Sequence, residues 1–185
     1  MSRTQVPPSK ITAHSTSIIC QDTDLRGDIT ISEGVIVHPK STILSLNNAP
    51  IIIGKNCIIE EGSIIVNRNQ EMMRIGDNNR FMVGCRIEAN SIGNWNTFQP
   101  RSVVSSNIII SDNCTISAGT TLIPSPTIQE GAIETIPSYT VVYGSNSEKR
   151  KWDGTGELSE KNLREKHIEY LREIIPKYNR LRPTT

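Results

Sequence analysis

Large apolar residues return every six positions along most of this chain. Leu25, Ile31, Val37 and Ile43 set the beat. It resumes at Ile53, Ile59 and Ile65, then at Ile75, Phe81 and Ile87, and then at Ile92, Phe98, Val104, Ile110, Ile116 and Leu122. Neither the 3.6-residue period of a helix nor the two-residue alternation of a strand gives this spacing. Four residues after an anchor the chain often places something small or β-branched: Val35, Ser41, Cys57, Ser63, Cys85, Ser91, Ser102, Cys114 and Thr120.

A six-residue unit with one large and one small inward residue makes a short strand and a tight corner. Three such units close a triangular coil of about 18 residues. Anchors stack on anchors in the coils above and below. Gly and Asn at the corners tolerate left-handed backbone angles. The expected fold is an all-β solenoid, a left-handed parallel β-helix of hexapeptide repeats with about six or seven coils, followed by a C-terminal α-helix. Aromatic residues make up only 4% of the chain, so β-branched side chains must build the core.

Three interruptions break the beat. Gaps of ten residues separate Ile43 from Ile53 and Ile65 from Ile75, and the step from Ile87 to Ile92 is one residue short. The insertions, "LNNAP" and "NRNQEMM", belong on loops at corners, as binding elements or as tolerated excursions.

After Tyr143 the pattern stops. "GSNSEKRKWDGTGE" reads as a polar linker. "LSEKNLREKHIEYLREIIPKYNRL" then shows helical spacing through Leu163, Ile168, Leu171, Ile174 or Ile175, and Tyr178. Ser159 is a candidate N-cap, and Pro176 should end or kink the helix near Ile175. The expected organisation is a flexible N-terminal tail at 1–10, a β-helix at 11–144, a linker at 145–157 and an amphipathic helix at 158–185. That helix either packs along a flank of the solenoid, the favoured reading, or docks a partner.

The net charge is +1. Residues 1–147 carry 10 Lys+Arg against 12 Asp+Glu, and residues 148–185 carry 10 against 7, so the basic excess sits in the tail. No basic face points to nucleic acid. No apolar run approaches the roughly 20 residues that span a bilayer, so no direct membrane insertion is expected. "MSRTQVPPSK" has no apolar signal core, which predicts a cytosolic chain with reduced thiols.

Chemistry-bearing residues are sparse. A catalytic zinc typically needs three protein ligands. The chain has three histidines, His14, His38 and His167, and the last lies in the tail helix. His38, before Pro39 at a corner, reads as a solvated corner residue. Cys57, Cys85 and Cys114 share the small-residue slot and read as inward space-fillers, while Cys20 has no assignment. Arg26 and Asp28 in "LRGD" straddle a glycine. As alternate residues on a strand they would point the same way, outward, pairing with each other or with a second subunit. Trp95 in "GNWNTF" is not required by the coil. It is either a buried corner filler or an exposed binding residue. The candidate protein-interface residues are therefore Arg26, Asp28 and Trp95, with no catalytic, cofactor or metal residues.

Two resemblances follow from these residues. "LRGDITI", "IIIGKNCIIEEGSIIV" and "IGDNNRFMVGCRIEA" resemble the gamma-class carbonic anhydrase family, whose metal sits on three histidines. At the matching positions this chain has Val66, Val83 and Glu88, and Glu60 where that family has an active-site glutamine. The resemblance therefore implies the fold and not the zinc chemistry. Arg26 and Asp28 are kept, and in that family they serve subunit contacts.

A fuller resemblance is to the dynactin subunit 6 family. It is carried by "ITAHSTSIIC", "VIVHPKSTI", "IIIGKNCIIEEGSIIVN", "IGDNNRFMVGC", "IPSYTVVYG" and "IIPKYNRL", nearly the whole chain. It implies a non-enzymatic, cofactor-free structural subunit of the pointed-end complex, in the cytoplasm and on the cytoskeleton. The implied partners are dynactin subunit 5, dynactin subunit 4 and an actin-related protein, with dynein cargo adaptors contacted indirectly. The alternatives are a hexapeptide-repeat acyltransferase and a carbonic-anhydrase-like metalloenzyme.

Overall fold

The computed structural model describes residues 9–184. The chain winds in coils of three short strands. The first coil holds β1 (Lys10–Ala13), β2 (Ile18–Ile19) and β3 (Asp24–Arg26). The second holds β4 (Asp28–Ile31), β5 (Ile36–Val37) and β6 (Thr42–Ser45), and the third β7 (Ile51–Ile53), β8 (Ile58–Ile59) and β9 (Ile64–Asn67). Next come β10 (Met73–Ile75), β11 (Arg80–Phe81) and β12 (Arg86–Ile87), then β13 (Ser91–Ile92), β14 (Thr97–Phe98) and β15 (Val103–Val104). The sixth coil is β16 (Ile108–Ile110), β17 (Thr115–Ile116) and β18 (Thr121–Leu122). A partial seventh has β19 (Glu134–Ile136) and β20 (Thr140–Tyr143). The chain closes with β21 (Glu148–Lys151) and α1 (Glu157–Tyr178).

Every third strand stacks in parallel, which makes three flat faces. The first face runs from β1 to β19, the second from β2 to β20 with β21 added, and the third from β3 to β18. This is the left-handed parallel β-helix that the six-residue beat predicts. Each anchor meets the anchor one coil away, as in Ile31 with Ile53 and Phe81 with Phe98. The two phenylalanine rings stack with centroids 4.8 Å apart. Cys57, Cys85 and Cys114 are buried among the anchors and fill the narrow parts of the triangle.

The coils are not equally long, and every irregularity falls at the corner between the third and first faces. Leu46–Pro50 and Arg68–Met72 each bulge there, and Asn67 ties the two loops together. Its side-chain amide donates to the carbonyls of Ala49 (3.1 Å) and Glu71 (2.9 Å). A third excursion, 123–133, occupies the same corner and was not anticipated. After it Ile136 and Val142 return as buried anchors. On the first face Gly54, Gly76 and Gly93 form a column where the coils touch. A Cβ on Gly76 would lie 2.6 Å from the carbonyl oxygen of Gly93.

Three expectations need correction. The segment read as a linker carries β21, which pairs antiparallel with β20 and covers its edge. The helix begins at Glu157 behind Gly156, whose backbone is left-handed, so Ser159 lies inside it rather than capping it. Pro176 does not end the helix at Ile175. It sits in the last turn, which runs on to Tyr178, because only the amide that proline lacks and the carbonyl four residues back are affected there. Of the expected N-terminal tail, only Ser9 and Lys10 are described, and Lys10 opens β1.

Candidate interaction surfaces

The second face carries the features that distinguish this chain from a bare solenoid. Residues just before each anchor point outward there. In the first three coils they are Ile18, Ile36 and Ile58, and in the next three Arg80, Thr97 and Thr115. Outward isoleucines would leave apolar surface in water. α1 covers them with Ile168, Leu171 and Ile175, which joins Cys20, Ile36 and Ile58 in a second apolar cluster outside the triangle. The tail beyond α1 then runs along β2. The Arg182 amide donates to the Ile19 carbonyl (2.7 Å), and the Gln21 amide to the Arg180 carbonyl (2.8 Å). Cys20, unassigned from sequence, follows β2 directly, bridges to Leu181 and is sealed under the helix.

Polar contacts set the position of α1 along the face. Arg164 donates to the carbonyls of Asn78 (2.5 Å) and Asn96 (3.3 Å) and to the Thr97 hydroxyl (2.5 Å). Trp95 sits at a corner with φ of 61°, half-buried under the same helix. The Lys161 ammonium is 4.8 Å from its ring centroid and the Arg164 guanidinium 5.9 Å, both over the ring. Cations over indole attract its electron-rich face. Trp95 is thus neither a fully buried filler nor a freely exposed residue: its ring receives the chain's own helix.

Arg26 and Asp28 do not pair with each other. Gly27 between them has φ of +91°, which turns the chain from the third face to the first. Arg26 pairs with Asp24 (2.7 Å) and Asp28 lies 3.9 Å from Lys10, each pair exposed. Alternation holds along a strand, and a left-handed glycine ends one. A Cβ on Gly27 would lie 2.2 Å from the Ser45 carbonyl oxygen, so the turn needs glycine.

The positions that align with zinc ligands are filled otherwise. Val66 is buried, and Val83 stands half-exposed at a corner. Glu88 accepts from Arg86 (2.5 Å) and Arg68 (3.0 Å), and Glu60 from Arg80 (2.7 Å). Arginines already neutralise both carboxylates. Among the described residues, no three His, Cys, Asp or Glu side chains converge as a metal site. Burial pushes the thiols of Cys57 and Cys85 up to about 12 and that of Cys20 to about 11, so all three are protonated near neutrality and are poor nucleophiles.

His38 differs from its expectation. It is half-buried on the second face, and its Nε2 has no hydrogen-bond partner. Burial lowers its pKa, against the pull of Glu60, and burial lowers that of His167 as well. The corner is dry because α1 passes over it, which sequence spacing in the solenoid alone does not reveal.

No protein-family model matches the chain. Dynactin subunit 6 of Xenopus tropicalis is 31% identical over 180 residues, covering 91% of this chain and 83% of the relative. Dynactin subunit 6 of Nematostella vectensis is 30% identical over 197 residues, covering 100% and 99%. Among solved structures, a hexapeptide transferase family protein from Anaplasma phagocytophilum superposes with a TM-score of 0.63 over 90% of this chain and 94% of its own, at 17% identity. That likeness is one of fold. The sequence relatives cover both the coils and the helix-bearing tail, and on that evidence the chain belongs to the dynactin subunit 6 family.

Proposed function

We propose that this chain is a non-enzymatic structural subunit of dynactin. In this reading it pairs with dynactin subunit 5 in the pointed-end complex, beside dynactin subunit 4 and an actin-related protein. There it supports dynein-driven transport on microtubules and the binding of cargo adaptors, in the cytoplasm and on the cytoskeleton. The observation that carries the reading is the full-length similarity to Nematostella vectensis dynactin subunit 6, 30% identical over 100% of this chain.

Two features of the molecule support a partnered life. The outer edges of β18 and β19 have no strand beside them among the described residues, whereas that of β20 is covered by β21. Open strand edges present unpaired backbone groups and invite association. The positions where a related enzyme family holds its metal carry Val66, Val83 and an arginine-bound Glu88. No helix among the described residues is long and apolar enough to cross a membrane. The likeness to hexapeptide transferases shares the coil and offers no catalytic residue here.

Affinity purification of the tagged chain from cells, with mass-spectrometric identification of partners, tests the reading. Dynactin subunits should co-purify, with subunit 5 in equimolar amount. A purified chain that forms a stable homotrimer and ignores subunit 5 in a pull-down would sink it. Stoichiometric zinc surviving dialysis, or acyl-CoA turnover lost when His14 and His38 become alanine, would establish an enzyme instead.

A further inference from the structure

α1 seals only part of the second face. Beside its first half lies a groove of about 840 Å³. Its floor is the outward surface of the fourth to seventh coils, with Met82, Gln99, Ser117 and Val141 all half-buried. One wall is α1 itself, through Leu163 and Tyr170, which lie 7 residues apart in the sequence and so on one stripe of the helix. They are 68% and 58% exposed, far more than the neighbouring stripe of Ile168, Leu171 and Ile175. The helix thus has two adjacent apolar stripes, and only one has found a partner.

The rim of the groove is cationic. Arg150 closes the far end from β21, Lys166 projects from α1, and Arg164 lies behind them. Among the described residues, Glu160 is the only carboxylate lining it. Among the described residues, none of these three cations is within ion-pair distance of a carboxylate. Arg164 spends its hydrogen bonds on two carbonyls and a hydroxyl, and burial lowers its pKa against the weaker pull of Glu160.

We propose that this groove is a docking site for an acidic, amphipathic α-helix of a partner polypeptide. The shape argues for a helix. An added strand needs a sheet edge, and on this face that is the outer edge of β21 at its far end, whereas the groove lies over the face itself. A wall of side chains spaced at i and i+7, over a floor of medium side chains, is the surface against which a second helix packs, with axes about 8–10 Å apart. Four coils at about 4.8 Å each accommodate roughly 10–12 helical residues.

The charge argues for acidity. The cations lining the groove outnumber its carboxylate, so they favour carboxylates on the incoming helix and repel a basic one. A second copy of this chain fits poorly. In a two-fold dimer the same patch meets itself, which would set Arg150, Arg164 and Lys166 against their own counterparts. The inference does not depend on membership of dynactin, because it uses only the groove.

Panning a displayed library of helical amphipathic peptides, about 14 residues long and of mixed charge, on the full chain tests it. The selected peptides should be acidic, with apolar residues at helical spacing, and salt should elute them. Leu163→Asp should abolish their binding. The double variant R150E/K166E should weaken it about tenfold and favour basic peptides instead. Circular dichroism and thermal midpoint should stay near those of the parent, because none of these side chains belongs to either apolar cluster. Selection of nothing, selection of neutral or basic peptides, or winners indifferent to both variants would overturn the proposal. So would sedimentation showing a homodimer that the same variants dissolve.

Discussion

The inside of the triangle and the seat of α1 are both apolar and both dry, yet they are written differently in the chain. Inside, one rule repeats: a large anchor, then a small residue four positions on, coil after coil from Leu25 to Leu122. The seat is written as an exception to that rule. Ile18, Ile36 and Ile58 occupy outward positions that become Arg80, Thr97 and Thr115 further along the same face. A periodic core needs only its neighbours to form. A seat needs a distant segment to arrive, here from more than a hundred residues away. The interior should therefore dominate stability, and the seat should govern what the surface can do.

The largest expected effect is Phe81→Ala. It removes one of the two stacked rings and leaves a cavity that rigid coils cannot close. The cost should be about 3–5 kcal/mol in urea denaturation. Leu171→Ala at the seat should cost less, about 2–3 kcal/mol, because α1 can settle onto the gap from one side. If Leu171→Ala matched Phe81→Ala, the two clusters would form one cooperative unit. A chain ending at Gly156 sharpens the contrast. It should keep the far-ultraviolet spectrum of the coils, bind more hydrophobic dye through its bared isoleucines, and lose solubility. Unchanged dye binding and solubility would mean that α1 is not needed to cover them.

The fold was legible in the sequence because a six-residue beat has few other solutions. Even the loops at 46–50 and 68–72 show as gaps in it. The excursion at 123–133 hid the last two anchors, Ile136 and Val142, because eleven irregular residues separate them from the run. The strand at 148–151 hid because its residues, Glu-Lys-Arg-Lys, are all exposed and have strand form only through pairing with β20. On the surface, Trp95 stood out as an odd residue, but what covers it comes from the other end of the chain. Arg26 and Asp28 do not meet each other because the glycine between them turns a corner. The signal for the seat is three outward isoleucines one position ahead of the anchors, which the inward six-residue beat does not register.

The pH dependence of stability separates the two regions again. The interior has no ionisable group that titrates near neutrality, while His38 and His167 lie at the seat, and burial holds both below the usual 6.5. For a group whose pKa is depressed by folding, the stabilisation is present above the unfolded value and is lost as pH falls through the folded one. The full chain should therefore lose stability as the pH falls below about 6.5, and the double variant His38→Asn, His167→Gln should flatten that slope. Glu60 lies against His38 and opposes the effect, so Glu60→Gln should steepen it. A slope unchanged by the histidine pair would mean that α1 leaves the seat open to water.

The smallest expected effect concerns Arg26. Its guanidinium pairs with Asp24 two residues before it on the same exposed strand, with 58% of the arginine side chain open to water. Such pairs contribute little, because water screens the attraction and ordering two side chains opposes it. Arg26→Ala should shift the stability of the isolated chain by no more than about 0.5 kcal/mol. That near-silence makes it informative. The residue lies outside both apolar clusters, on a coil whose third-face edge has β6 on one side and no described strand on the other. If Arg26→Ala leaves folding untouched yet weakens capture of dynactin subunit 5 in a pull-down, the first coil belongs to the interface between subunits. If capture is also unchanged, the ion pair is only a solvated decoration of the coil, and the open edges of β18 and β19 become the next surface on which to test the proposed pairing.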